Sequence, residues 1–351
     1  MATVRRWFAE YKRVKLEVFV PLQHYSGDAA QVDFFEVTVD IAGERRKAWM
    51  LVFRLMHSGR DFEWLYSNCD RVSFLDGHVR AFAHFGGVPA RLVYDNLKAA
   101  VKKILYIGRE LSGRFAALAA HYLFEPCFAR PYTGHDKGGL KSRGRGVRLQ
   151  LLVPIPAATT LSEASLTLLE RLDTQAHQHL TADKRSVMQR FIEDEQPYLL
   201  TILRGAFDPR KLETGRVSSS SRVQLAGASY TVPSNWARCD IEARVGVEEI
   251  EIRCRGQVVL VARQPKGGKY VDYRHYLPEL RKKPQAVRQV MPELLKQLGE
   301  PFGRLWRLLV DMYGPLDAAR TFARVLGAMV EHGDSRMLLK LKQDPKSATR
   351  H

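Results

Sequence analysis

The sequence contains little cysteine and no long apolar run. Its four cysteines (Cys69, Cys127, Cys239 and Cys254) are far apart and include no CxxC pair, which argues against a zinc site of the usual spacing and against a dense disulfide framework. No stretch approaches the roughly 18 apolar residues of a membrane span, and the first residues lack a signal-type apolar segment. We therefore expect a soluble protein of the reducing cytoplasm without a membrane partner.

Several common enzyme motifs are also absent. The 11 histidines show neither an HExxH motif nor another paired metal spacing, so a zinc peptidase is not favoured. No Walker A sequence is present, and any ATPase activity would have to come from a partner. The serines occur in no nucleophile-elbow context, which argues against a serine hydrolase.

The sequence is rich in positive charge. Lysine and arginine number 55 against 38 acidic residues, for a net charge of +17 and a pI of about 9.8. A polyanion is the partner that such a surplus favours, because cations near phosphates release counterions. A ribosome-associated protein or a merely basic soluble surface is the alternative. The hydrophobic content of 45% is that of a globular protein.

The residue pattern predicts an α/β architecture in the first half of the chain. Three strands, of which the first two form a hairpin at Ala42-Gly43-Glu44, are followed by alternating helices and strands. The third strand, FEWLYSN, alternates aromatic with smaller or polar residues, and Gly86-Gly87 marks the end of the first helix. This order predicts a mixed sheet that is antiparallel in its first three strands. We predict five regions: a basic lead-in (1–25), the α/β core (26–160), a helical connector (161–215), a small β-barrel (216–284) and a helical C-terminal region with a basic tail (285–351).

Two aspartates are candidates for metal chemistry. Asp33 interrupts the apolar strand AQVDFFEVTVD, and Asp95 follows the apolar run RLVY. Each has a structural alternative, an edge salt bridge for Asp33 and an Asp-Asn turn for Asp95. On neighbouring strands, however, two carboxylates can hold divalent ions in the geometry used for phosphodiester displacement.

Five stretches together carry a family resemblance: AQVDFFEVTVD, LMHSGRDFEWLY, DGHVRAFAHFGGVPARLVYDNLKAAV, HYLFEPCFARP and GHDKGG. They resemble the IstA-type transposases of bacterial insertion sequences, in the DDE (retroviral-integrase-like) superfamily, from about residue 15 to about residue 335. The resemblance implies an RNase-H-like core, then a small β-barrel and a helical C-terminal region. It also implies cleavage and joining of transposon-end DNA with Mg²⁺ (or Mn²⁺), an AAA+ ATPase partner, a homo-oligomer on DNA and a location at the bacterial nucleoid.

The catalytic residues carry over incompletely. Asp33 and Asp95 match the first and second catalytic aspartates of the family, whereas Lys141 stands where the family has a glutamate. A protonated ammonium cannot bind a metal ion, and Asp136 and Glu163 are poor substitutes by their positions in the sequence. The helix-turn-helix modules that family members carry before the core are also not found ahead of residue 15, so the chain resembles an N-terminally truncated member.

Two basic stretches are candidates for DNA binding. Glycine-rich residues 134–148 contain Lys137, Lys141, Arg143, Arg145 and Arg148, a pattern typical of a phosphate-contacting loop or of a solvated one. A second group interleaves cations with tyrosines that are equally well explained as core residues or stacking platforms; it comprises Lys266, Lys269, Arg274, Arg281, Lys282 and Lys283 with Tyr270, Tyr273 and Tyr276.

Three functions remain open from the sequence. The chain can be an active strand-transfer enzyme, a transposase-derived protein that binds DNA or sequesters partners without cutting, or a basic nucleic-acid scaffold of similar fold. Because Lys141 replaces a carboxylate, we expect catalysis to be impaired, and we leave open whether the chain is an enzyme.

Overall fold

The computed structural model describes residues 23–94, 106–107, 110–128, 152–202 and 205–332. The chain forms two compact units, Met1–Pro209 and Arg210–His351.

The first unit is built on a mixed β-sheet. Its described strands are β1 (Ala29–Ile41), β2 (Glu44–Leu55), β3 (Asp61–Tyr66), β4 (Arg91–Tyr94), β5 (Tyr106–Ile107), β6 (Glu110–Leu111), β7 (Glu125–Phe128) and β8 (Ala157–Ala158). The main sheet has the order β3-β2-β1-β4-β7, with β8 beside the end of β1, while β5 and β6 pair separately. Strands β1 to β3 are antiparallel, and β4 and β7 extend the sheet in parallel. The predicted mixed sheet is confirmed.

The β1–β2 hairpin has a two-residue loop, because Ile41 pairs with Glu44. Both loop residues have positive φ, 53° at Ala42 and 81° at Gly43. Two such residues form the turn whose twist matches that of the flanking strands. The hairpin therefore follows from local sequence, as predicted.

The described part of the first unit also contains four helices, some of which lie between its strands in the sequence. They are α1 (Arg71–Phe85), α2 (Gly113–Tyr122), α3 (Leu161–Gln178) and α4 (Val187–Arg190), the last continued by a π-helical turn (Phe191–Glu195). Side chains of Asp70, Ser112 and Thr160 cap the N-termini of the first three. Gly86 ends α1 in the left-handed conformation, with φ of 72°. A Cβ atom on Gly87 would lie 2.6 Å from the Cβ of Leu199, so the predicted Gly-Gly stop also permits close packing.

The sheet is covered on both faces. On one face, Phe53 of β2 packs edge-on against Phe82 of α1, with ring centroids 5.8 Å apart. On the other face, Val52 belongs to a core cluster with Leu168 and Leu172 of α3. Since successive strand residues point to opposite faces, Val32, which pairs with Phe53, faces α1, and the residue after it faces α3.

Strand β3 is the third strand that the sequence predicts, but its burial does not alternate as its residue types do. All six of its residues are buried, including Asp61 and Glu63. The buried Asp61 carboxylate is compensated by Arg54 of β2, whose Nη1 donates to Oδ1 at 3.1 Å and to Oδ2 at 2.9 Å. Because helices cover both faces of the sheet, the polar residues of β3 are buried together with its aromatic residues.

The second unit begins with two small sheets. The strands are β9 (Lys211–Arg216), β10 (Arg222–Leu225), β11 (Ala228–Thr231), β12 (Asp240–Val245), β13 (Glu249–Cys254), β14 (Gln257–Ala262) and β15 (Lys269–Tyr270). They form the sheets β14-β13-β12-β9 and β10-β11-β15, which share one core around Tyr230, Trp236 and Ile252. The predicted barrel is not confirmed, because the described strands make two sheets rather than one closed sheet.

The unit ends in helices: α5 (Leu277–Leu280), α6 (Pro284–Leu298) and α7 (Glu300–His332). Helix α7 is interrupted at Gly314, which has a non-helical φ of 72° and is followed in the sequence by Pro315. The two long helices share an apolar core that includes Met291, Leu294 and Phe322. In the ranges that the structure covers, no helix is both long and apolar enough to cross a membrane.

His78 is a fully buried histidine in the middle of α1. Its Nδ1 lies 2.7 Å from the carbonyl oxygen of Phe74, and its Nε2 lies 2.9 Å from the hydroxyl of Tyr94. Burial lowers the pKa of His78 from 6.5 to about 4, because the charged imidazolium would lose its hydration.

The low pKa of His78 predicts acid sensitivity. Between about pH 6.5 and pH 4 the unfolded histidine binds a proton that the folded one does not, so the unfolded state is favoured as the pH falls. We expect His78 to remove about 3 kcal/mol from the free energy of unfolding across this window. Denaturant titrations at several pH values should show that the free energy of unfolding falls less steeply with decreasing pH in His78→Phe than in the wild type. His177→Gln, on the exposed side of α3, is the control and should show the same pH dependence as the wild type. Equal pH dependence in His78→Phe and the wild type would contradict the prediction.

Candidate active site

Asp33 lies on β1 with its side chain half-buried. Its direct partner across the hairpin is Val52, which belongs to the core under α3, so Asp33 faces the α3 side of the sheet. The backbone N–H of Phe34 donates to Asp33 Oδ1 at 2.7 Å. The carboxylate thus sits at a position from which part of it can meet solvent or a ligand.

The parallel pairing of β1 and β4 brings two short sequence segments side by side. Val32 pairs with Tyr94, the last residue of β4. In the sequence, Asp33 and Asp95 directly follow these two paired residues. Asp95 itself lies outside the described residues. The same is true of Lys141 and of the other predicted DNA-binding cations, Lys137, Arg143, Arg145 and Arg148.

The row of the sheet two residues before Asp33 on β1 is polar but balanced in charge. Gln31 pairs with Arg54, which pairs with Asp61. The guanidinium of Arg54 is already engaged by Asp61. Gly59, with φ of 79°, makes room for it, because a Cβ there would lie 2.8 Å from Nη2 of Arg54. Arg54 therefore serves an internal ion pair two rows away from Asp33.

A cavity of about 380 Å³ lies between the β2–β3 turn and α3. Its cationic lining residues are Arg54 and Arg60, which bind Asp61 and Asp173 respectively. The lining also includes Asp61 itself, the amides of Gln175 and Gln178, and apolar residues such as Leu172. The cavity has no surplus of positive charge and does not identify an anion site.

Glu63 is an acidic residue that the sequence reasoning missed. It pairs with Val52, which pairs with Asp33, so the two carboxylates share one row and one face of the sheet. Neighbouring strands lie about 4.8 Å apart, which places their Cα atoms roughly 10 Å apart. Glu63 is fully buried. Its proximity to Asp33 depends on the register of β3 against β2, which the residue pattern of a single strand does not reveal.

Glu163, considered from sequence as a substitute for the missing glutamate, has a local role instead. Its Oε2 accepts a hydrogen bond from the backbone N–H of Thr159, and its own N–H donates to Thr160 Oγ1, an arrangement that caps the start of α3. The preceding strand, β8, pairs at Ile41, roughly 26 Å along β1 from Asp33 at about 3.3 Å per residue.

Asp33 fits a divalent cation by its chemistry. Mg²⁺ prefers carboxylate and water oxygens, and it needs few protein ligands. Among the residues that the structure describes, no three or more His, Cys, Asp or Glu side chains are grouped closely enough to hold a metal ion. Asp33 can therefore contribute to a metal site only together with residues outside the described ranges or with solvent.

The second basic group lies in the described part of the second unit. We call its six cationic side chains the basic cluster; all six are exposed: Lys266, Lys269, Arg274, Arg281, Lys282 and Lys283. Arg274 binds the buried Asp272 through Nε and Nη2, so its charge is partly used internally.

The interleaved tyrosines are structural. Tyr270 packs against the core of the two small sheets, and Tyr273 and Tyr276 pack against the helical core. The hydroxyl of Tyr276 also donates to the carbonyl of Ser220 at 2.8 Å. Between the two readings of these rings, contacts favour the core over base stacking.

Two family matches divide the chain in the same order as its two units. Residues 23–133 match the family described as Integrase core domain, and residues 203–266 match the family described as Mu transposase, C-terminal domain. The first match contains Asp33 and the end of β4, and the second covers most of the two small sheets.

Curated relatives agree with these matches. The transposase for insertion sequences IS1326/IS1353 of Pseudomonas aeruginosa is 29% identical over 91% of this chain. The transposase for insertion sequence element IS21 of the same species is 28% identical over 66% of it. A structure of the HTLV-2 integrase catalytic core domain in complex with magnesium is 16% identical, with a TM-score of 0.34, and the match covers 48% of this chain and 98% of that one.

The chain spans 64% of the length of the IS1326/IS1353 relative and 59% of the IS21 relative. Both family matches and the relatives converge on one group. Along 91% of its length the chain is similar to an insertion-sequence transposase, and it contains a match to an integrase core domain followed by a match to a Mu transposase C-terminal domain.

Proposed function

We propose that this chain binds DNA and carries a metal-dependent phosphodiester site at Asp33 and Asp95, with Lys141 weakening strand cleavage. One observation carries the proposal. The pairing of Val32 with Tyr94 makes the residues before the two aspartates direct neighbours on adjacent parallel strands. Carboxyl ends of strands in α/β sheets are the usual place for a ligand.

In this site, Asp33 and Asp95 would hold Mg²⁺ or Mn²⁺ through carboxylate oxygens. When bound, the cation would polarise the phosphate under attack. The sheet supplies rigidity, because Asp33 stands between Val32 and Phe34, which are both almost fully buried. A ligand held on such a strand has little freedom to leave its position.

Lys141 is the reason to expect binding with little cutting. An ammonium beside two carboxylates and a dication adds repulsion and removes one ligand. The same positive charge suits a DNA phosphate, as do the neighbouring Lys137, Arg143, Arg145 and Arg148. The site would then retain the DNA affinity of a transposase more fully than its chemistry.

A nicking assay on supercoiled DNA with Mg²⁺ or Mn²⁺ tests the metal site. We expect weak nicking by the wild type and an increase of about tenfold or more in Lys141→Glu, because the third carboxylate is restored. Adding Asp33→Asn to Lys141→Glu should abolish the gain, since an amide is a poor substitute for a carboxylate ligand.

Asp40→Asn is the matched control, because Asp40 is on the same strand but paired with Arg45 near the hairpin turn. It should leave nicking by Lys141→Glu unchanged. Nicking that survives Asp33→Asn would exclude Asp33 as a ligand. Strong nicking by the wild type, lost in Asp33→Asn, would show that Lys141 does not impair the site.

DNA binding by the second unit is tested through the basic cluster. Lys282→Gln/Lys283→Gln removes two exposed charges, so we expect weaker binding to duplex DNA at low salt. If both contact phosphates, the slope of log affinity against log salt should become shallower by about 1.8.

The control for this pair is Arg304→Gln/Arg307→Gln, which removes the same charge from two arginines that neighbour Glu300. Fluorescence anisotropy over a salt series measures both slopes. A slope unchanged by the lysine pair, or changed equally by the arginine pair, would remove the basic cluster from the DNA-binding surface.

The resemblance further implies an AAA+ ATPase partner and a homo-oligomer on DNA, and we propose both for this chain. A second function is that of a non-catalytic DNA-binding or partner-sequestering protein. It would be favoured if Lys141→Glu binds DNA but does not nick it. The same assays therefore separate the two functions.

A further inference from the structure

A buried hydrogen-bonded pair connects α1 to the end of β4. His78 is 0% and Tyr94 is 1% exposed. Their surroundings are aromatic: the His78 ring lies 4.6 Å from that of Phe74, and the Tyr94 ring stacks on Phe128 at 5.5 Å. In such surroundings each polar group depends on a partner inside the protein.

The direction of the hydrogen bonds follows from the partners. The Phe74 carbonyl can only accept, so Nδ1 of His78 carries the proton and donates to it at 2.7 Å. Nε2 is then an acceptor, and the Tyr94 hydroxyl donates to it at 2.9 Å. This chain of bonds runs from the α1 backbone to the side chain of the last residue of β4.

We propose that His78 and Tyr94 are positioning residues, which fix the end of β4 against β1 so that the two strands present a metal site. The proposal rests on the proposed metal-binding function. Tyr94 pairs directly with Val32, and in the sequence these two residues are followed by Asp95 and Asp33 respectively. Any shift of Tyr94 is therefore passed to the sheet next to Asp33.

A hydrogen bond supplies something here that packing alone does not. Two apolar side chains would fill the same space without the cost of burying polar groups, but apolar contacts leave small rotations and shifts open. A directional bond to the helix backbone restricts them. Metal ligands need positions accurate to about 0.5 Å, which gives the polar pair a use that core stability does not.

Three variants separate positioning from stability, with Mn²⁺ binding by calorimetry and thermal unfolding as the two readouts. Tyr94→Phe leaves Nε2 of His78 buried without its donor, so both Tm and Mn²⁺ affinity should fall. His78→Leu/Tyr94→Phe removes both polar groups, so Tm should return close to that of the wild type. Its Mn²⁺ affinity should remain about tenfold or more below the wild type. His78→Gln keeps a hydrogen-bond acceptor for Tyr94, so its Mn²⁺ affinity should lie between those of the double variant and the wild type.

Tyr122→Phe is the matched control in the same aromatic core. Its hydroxyl accepts a hydrogen bond from the backbone N–H of Phe207, and its ring packs 4.7 Å from that of Phe82. It should leave Mn²⁺ affinity unchanged.

A double variant with wild-type Tm and wild-type Mn²⁺ affinity would overturn the positioning role and leave the metal site intact. An affinity that simply follows Tm across the variants, including Tyr122→Phe, would assign the pair to stability alone. Absence of Mn²⁺ binding by the wild type itself would overturn the proposed function together with this inference.

Discussion

The parallel pairing of β1 with β4 is the constraint on which the first unit depends. Parallel neighbours cannot be joined by a tight turn, so the chain between them must form the β1–β2–β3 meander and return through α1. The sheet that results is covered by α1 on one face and α3 on the other. Because both faces are covered, the sheet has few places for a polar side chain, and Asp33 occupies one of them while remaining half-buried.

The other polar groups of this sheet show how strictly burial is compensated. Asp61 is 4% exposed and receives the guanidinium of Arg54, which Gly59 admits by lacking a side chain. His78 stays neutral through burial and satisfies both ring nitrogens. These residues hold strands and helices in register. The arrangement of the sheet and of the helices against it thus depends in part on these buried polar contacts.

Charge and packing are divided differently in the second unit. Tyr270, Tyr273 and Tyr276 pack against two apolar cores, whereas the lysines and arginines of the basic cluster are exposed. A surface of this kind attracts a polyanion without reading its sequence. The chain is similar to insertion-sequence transposases and spans 64% and 59% of the lengths of two of them.

The sequence by itself determined the strand order, the β1–β2 hairpin, the end of α1 and the family, because these depend on local turn chemistry, periodicity and contiguous motifs. It also singled out Asp33, although the roles of Asp33 and Asp95 remain predictions. Tertiary structure alone decided that β3 is buried throughout, that Glu63 shares a row with Asp33, and that His78 bonds to Tyr94. Each of these depends on strand register or on helices covering both faces of a sheet, and such long-range pairings leave no mark in the pattern of a single segment.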